Sequence, residues 1–197
     1  VIPDKNTIIA DVLALAEKMG YEVSHARQVK ALALDLFDLL SSVHGLGEKE
    51  RLLLECASIL HDIGVPAGGG SKHHKLSRDL IISSSLDFYS PEDKIVVALV
   101  ARYHKGQLPD ETHRYFSDLS PAGKILVSKL SAILRIADGL DRGHADAVRS
   151  VGVEIENGVV LFRVDQGAAD ACLELAGARE KADLFEKVFC LKAVISA

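Results

Sequence analysis

The chain has 197 residues, 48% of them hydrophobic and 26% charged, with a formal net charge of −5. That length holds one large domain, or a medium domain with an appendage, and buries enough surface to fold without disulfide staples. The acidic balance argues against nucleic acid as a partner, although a local basic pocket is compatible with it, and no apolar run reaches the roughly 20 residues of a membrane span.

Three cysteines, Cys56, Cys172 and Cys190, are far apart and odd in number, so they read as reduced core residues of a cytoplasmic protein. No signal peptide is visible, and the opening residue is Val1, as in a piece of a longer protein.

In chain order, Asn6 or Thr7 caps a first helix that ends at Gly20. Ser24 caps a second, long helix with an apolar stripe of Ala26, Val29, Ala33, Leu36, Phe37 and Leu40, closed by Gly45 and Gly47. A third helix over 48–62 has almost no polar face and should be central. Gly64, Pro66 and the Gly68-Gly69-Gly70 run read as a flexible connection. A helix over 73–84 follows. Ser90-Pro91 then starts a helix that ends at His104-Lys105-Gly106, and Ser120-Pro121 starts another that leads to Asp138. The segment 107–119 reads as loop. After about residue 147 the period changes to two. Val151, Val153 and Ile155 alternate with polar residues, Asn157-Gly158 is a hairpin turn, and Val160, Phe162 and Val164 continue the pattern. Cys172, Leu173 and Leu175 suggest a third strand, 179–189 an amphipathic helix, and 191–195 a last strand. The expected fold is mainly α: a helical bundle over 1–147 followed by a small α+β subdomain over 148–197.

The chemistry gathers at helix ends. His61, Asp62, His104 and Asp138 all fall at the C-termini of buried helices, where partial negative charge and free carbonyls favour a cation. Imidazoles and carboxylates gathered there suit a divalent ion such as Mn, Fe, Co, Ni or Zn. Each residue has a plainer alternative. His25 suits a surface first turn, His73 and His74 a solvated loop, and His104 a helix cap. Asp138 has Arg135 and Arg142 at ion-pair spacing.

Together, His25, His61-Asp62 and Asp138 resemble the His…His-Asp…Asp pattern of the HD superfamily of metal-dependent phosphohydrolases. His73 or His74 and His104 fall where a longer version of that motif holds a second metal. The blocks Ile59-Leu60-His61-Asp62-Ile63-Gly64, Ser71 to Ile81, Ala101-Arg102-Tyr103-His104-Lys105-Gly106 and Ile133 to Arg142 are similar to the C-terminal HD-type domain of the Ppx/GppA family. That family comprises exopolyphosphatases and guanosine pentaphosphate phosphohydrolases. The stretches Gly20 to Val29 and Leu184 to Phe189 are similar as well. Leu76 departs from the family's histidine-rich block, and nothing resembles the family's actin-like phosphate-binding domains.

The resemblance implies an HD-type helical bundle and one or two divalent ions, Mg included, held by His25, His61, Asp62, His73 or His74, His104 and Asp138. Asp62 would bridge them, and Lys75, Arg78, Lys105 and Arg142 would stabilise phosphate charge. The implied activity is phosphohydrolysis of a nucleotide or other small phosphoester or pyrophosphate, without exopolyphosphatase catalysis from this domain alone. The alternative is a non-catalytic accessory domain that binds polyphosphate or forms a homodimer.

Overall fold

The computed structural model describes residues 3–167 and 169–197. The helices are α1 (Lys5–Met19), α2 (Val23–Leu39), α3 (Ser41–His44), α4 (Glu48–Leu60), α5 (His73–Ser83), α6 (Pro91–Tyr103), α7 (Pro121–Gly139), α8 (Cys172–Lys181) and α9 (Asp183–Phe189). The strands are β1 (Ser150–Glu156), β2 (Val159–Asp165) and β3 (Lys192–Ser196). The fold is therefore mainly α with a small α+β region at its C-terminal end, as the periodicity predicts. Among the described residues no helix is long and apolar enough to cross a membrane.

Helix α4 packs against α1, α2, α6 and α7. Leu52, Leu53, Leu54, Cys56, Ala57, Ile59 and Leu60 are all buried on it. Full burial of one such leucine or isoleucine stabilises by roughly 1.5–3 kcal/mol, so this helix anchors the bundle and fixes where its C-terminus lies. Local signals set the helix starts. Ser90 and Ser120 accept from the backbone N–H three residues on, each ahead of a proline in the first turn.

Several local expectations are corrected. Asp4, not Asn6 or Thr7, caps α1, its carboxylate accepting from the backbone N–H groups of both. Ser24 lies inside α2 and donates to Asp146. Helix α2 stops at Leu39 because the chain turns into α3, and Gly45 closes that turn at φ +63°. The expected strand at Cys172–Leu175 is helix α8. Its Ala176-Gly177-Ala178 segment is small enough to lie directly on α7, where a Cβ on Gly139 would come within 2.7 Å of the Ala178 backbone. Cys172 and Cys190 are exposed, so of the three free cysteines only Cys56 belongs to the core.

Strands β1 and β2 are antiparallel, and β2 and β3 parallel, with α8 and α9 forming the crossover. Val151, Val160, Phe162, Val164 and Ile195 turn inward, joining the apolar core of the helices.

His44 is buried at the end of α3. Its Nε2 lies 2.7 Å from the Phe37 carbonyl, and its Nδ1 accepts from the Leu46 N–H. That pair of bonds specifies the neutral Nε2–H tautomer. Burial lowers the His44 pKa below its ordinary 6.5. With the folded pKa depressed, the unfolded chain binds the proton first. His44's contribution is therefore complete above pH 6.5 and is lost as pH falls from there toward the folded value. Between pH 7.5 and 5.5 the melting temperature of His44→Gln should fall less than that of the wild type; equal falls in parallel thermal scans would contradict this assignment.

Candidate metal centre

Three helix C-termini and two helix starts converge on a single point. His61 caps α4, His104 caps α6, Asp138 lies in the last turn of α7, and His25 lies in the first turn of α2. His73, the first residue of α5, completes the set. Gly64 and Gly69 allow this closeness. A Cβ on Gly64 would meet the His73 carbonyl at 2.3 Å, and one on Gly69 would meet the His73 Cα at 2.5 Å. The Gly69 N–H donates to the Gly64 carbonyl at 2.9 Å, so the glycine run is a fitted turn and not a loose connection.

Asp62 stands between two histidine pairs. Its Oδ2 is 3.8 Å from Nε2 of both His25 and His61, and its Oδ1 is 3.2 Å from Nε2 of His73 and 3.3 Å from Nε2 of His104. Asp138 Oδ1 lies 3.4 Å from His25 Nε2 and 3.6 Å from His61 Nε2. The ligating atoms of His25, His61 and Asp62 form one compact group, and those of Asp62, His73 and His104 form a second. Asp62 belongs to both.

The far side of each ring explains what the near side needs. Nδ1 of His61, His73 and His104 lies 2.7, 2.8 and 2.6 Å from the carbonyls of Ser58, Gly70 and Ala101, and Nδ1 of His25 lies 2.8 Å from Asp141 Oδ2. All four partners are acceptors, so each Nδ1 carries the hydrogen. In the neutral rings every Nε2 is then a bare lone pair. These lone pairs face one another, 3.1 Å apart in His25–His61 and 3.4 Å in His73–His104. Asp62 Oδ1 is buried without a hydrogen-bond donor. Such an arrangement demands positive charge between the groups, and outer partners that fix the ring tautomer are what metal-ligating histidines ordinarily have.

The electrostatics agree. Burial by itself would raise the Asp62 pKa, but His61, His73 and His104 hold it well below the carboxylate range. Burial likewise opposes ionisation of Asp138, which Lys181, His25 and His61 overcome. Burial pushes His104 down to about 3. For His25 burial is outweighed by Asp138 and Asp141, which raise it to about 10. A proton on His25 thus supplies part of the missing charge, and a divalent cation entering the same space would replace it. The residues present fit such an ion: imidazole nitrogens and carboxylate oxygens without thiolate, the donor set of Mn, Fe, Co, Ni or Zn.

A cavity of about 680 Å³ opens onto Asp62, His73, His104 and Asp138. Lys105 and Arg142 line it. Lys75 and Arg78 do not; Arg78 pairs with Asp79 and lies over the Tyr115 ring. His74 is buried but outside both ligand groups, against Gly106. His73 is therefore the histidine aimed at Asp62. His73→Gln should lower the metal content of the protein, while His74→Gln should leave it unchanged, as measured by elemental analysis after dialysis against limiting Mn. Equal losses would contradict the assignment.

Two site residues escaped the sequence reading. Lys181, from α8, is ion-paired with Asp138 Oδ2. His144 stacks on His25 with ring centroids 3.7 Å apart and is tethered to Glu22 at 2.9 Å. The ion pairs with helix neighbours that would have given Asp138 its plainer role are absent among the described residues. Arg135 pairs with Asp183 and Arg142 with Glu180.

No curated protein matches the chain. A protein-family model described as Ppx/GppA phosphatase, domain III, matches residues 9–169. That span covers His25, His61, Asp62, His73, His104 and Asp138 and most of the fold, and the chain belongs to this family.

Proposed function

We propose that the chain is a metal-dependent phosphohydrolase of the HD type, acting on a nucleotide or other small phosphoester or pyrophosphate. The carrying observation is Asp62, with one oxygen facing His25 and His61 and the other, buried and without a donor, facing His73 and His104. His25, His61, Asp138 and Asp62 Oδ2 would hold one divalent ion, and His73, His104 and Asp62 Oδ1 a second. Bound ions supply Lewis-acid charge and acidify water near neutral pH.

The chain's own residues do the rest. Asp141 and the Ser58, Gly70 and Ala101 carbonyls keep the four imidazoles oriented with Nε2 turned to the centre. Lys105 gives the cavity wall cationic charge, and Arg142 stands beside it paired with Glu180; both offer N–H donors suited to the anionic oxygens of a phosphoryl group and to charge that develops in its transfer. Lys75 and Arg78 lie off the cavity. Membership of the Ppx/GppA family supports phosphate-containing substrates in general.

The test is a panel of nucleotides, pyrophosphate, polyphosphate and aryl phosphodiesters with Mn, Co, Ni and Mg. Turnover of at least one small phosphoester or pyrophosphate is expected, and Asp62→Asn should abolish it. Metal binding without turnover of any substrate would reject catalysis and leave an accessory role.

A further inference from the structure

Arg135 is buried on α7, 5% exposed, and its donors reach three segments of the chain. Nη1 donates to the Tyr103 carbonyl at 3.2 Å and lies 3.5 Å from the Gly106 carbonyl. Nε and Nη2 donate to Asp183 Oδ1 at 3.2 and 2.8 Å, and Nε lies 3.4 Å from the Lys181 carbonyl. A guanidinium taken out of water needs this many partners, because burial of an ion is costly unless pairing and hydrogen bonds offset it.

The carbonyls on one side of the fork are those that end α6. A helix leaves its last carbonyls without intrahelical partners. Here the Ala101 carbonyl lies 2.6 Å from His104 Nδ1, and the Tyr103 carbonyl accepts from Arg135. The chain then turns away at Gly106, φ +76°. The His104 ring is therefore aimed by its own helix, while the place of that helix end is set from α7. Asp138 follows Arg135 by three residues, the spacing of neighbours on one helix face, and its Oδ1 faces His25 and His61. One face of α7 thus serves both halves of the Asp62 centre. It reaches the first directly through Asp138, and the second through Arg135 and the helix end that carries His104.

We propose that Arg135 is a positioning residue for the His73–His104 half of the centre, holding the end of α6 so that His104 Nε2 stands 3.3 Å from Asp62 Oδ1. This role rests on the two-ion reading of that centre. It calls for arginine in particular. Lysine keeps the charge, but its single ammonium lacks the planar fork that serves the α6 carbonyls on one side and Asp183 on the other.

The experiment is isothermal titration of chelator-treated protein with Mn, followed by electron paramagnetic resonance of the loaded protein. Wild type should bind two ions, and His73→Gln marks which of them belongs to the His73–His104 half. Arg135→Lys should weaken that same ion by about 10–100-fold, as loss of an outer partner does, leave the other unchanged, and lose the exchange coupling between the two. Asp183→Asn is the control. It deprives the buried Arg135 of its carboxylate and should lower the melting temperature, yet the bonds to α6 remain and both ions should bind as in the wild type. A role in stability alone would make Arg135→Lys and Asp183→Asn lose metal alike. Should Arg135→Lys fail to fold, the double change Arg135→Gln and Asp183→Asn leaves no unpaired buried charge and should show the same selective loss. The proposal alone is overturned if wild type binds two ions and the folded Arg135 variant binds both as tightly, or weakens both equally, or if Asp183→Asn loses the same ion to the same extent. Fewer than two ions in the wild type overturns the two-ion reading itself, and this role with it.

Discussion

Asp62→Ala is expected to remove both metal ions at once, weakening each by more than about 100-fold, beyond the 10–100-fold that loss of an outer partner typically costs. The reason is that one carboxylate serves two sides. Oδ2 faces His25 and His61, and Oδ1 faces His73 and His104. Without it, each histidine pair keeps its facing lone pairs but loses the anion they share. Asp141→Asn provides the contrast. Asp141 holds the His25 Nδ1–H with Oδ2 and accepts the Asp146 N–H with Oδ1; His25 is the one ring of the centre it bonds, so its loss should weaken one ion by about 10–100-fold and spare the other. Isothermal titration with Mn distinguishes the two patterns. A single weakened ion in Asp62→Ala would contradict the shared role.

Gly139→Ala should lower the melting temperature and weaken only the His25–His61–Asp138 half of the centre. A Cβ at this position would stand 2.7 Å from the Ala178 Cα and N, and in return a Cβ on Gly177 would stand 2.7 Å from the Gly139 carbonyl. These contacts are with backbone, so no rotamer change relieves them and α8 must move away from α7. Overpacking of this kind costs about 1–3 kcal/mol, which for a chain of this size lowers the melting temperature by roughly 2–12 °C. Moving α8 also withdraws Lys181 from Asp138 and disturbs the Arg135–Asp183 pair just beyond it. Gly152→Ala is the control, since its Cβ would meet only Arg163 at 3.9 Å. That variant should stay within about 0.5 kcal/mol of the wild type. Thermal scans and Mn titration of both proteins check the prediction; an unshifted melting temperature in Gly139→Ala would show that the helices can separate freely.

What the sequence revealed follows the range of the forces involved. The ligand blocks were legible because they sit at the ends of long apolar helices, where periodicity and punctuation are strong. Those helix ends are also where backbone carbonyls favour positive charge. His73 and His74 were not separable, because adjacent helical residues point about 100° apart and only the packed Gly64–Gly69 turn decides which one faces Asp62. Helix α8 was misread because Cys172, Leu173 and Leu175 alternate like a strand while the chain's need to cross α7 closely is invisible locally. Its available signal was the pair of small residues Gly139 and Gly177, 38 positions apart. Lys181 followed from that docking and carried no motif of its own. Arg135 and Arg142 showed ion-pair spacing to Asp138, yet the tail offered them Asp183 and Glu180, and long-range packing overrode the helix-neighbour pattern.

The proposed chemistry requires two cations sharing Asp62. Purified protein loaded with Mn and freed of excess should contain two ions per chain by elemental analysis, and its electron paramagnetic resonance spectrum should show the exchange coupling of ions about 3.5–4 Å apart. A single uncoupled Mn signal, or no more metal than in a His61→Ala, His104→Ala double variant, would contradict it.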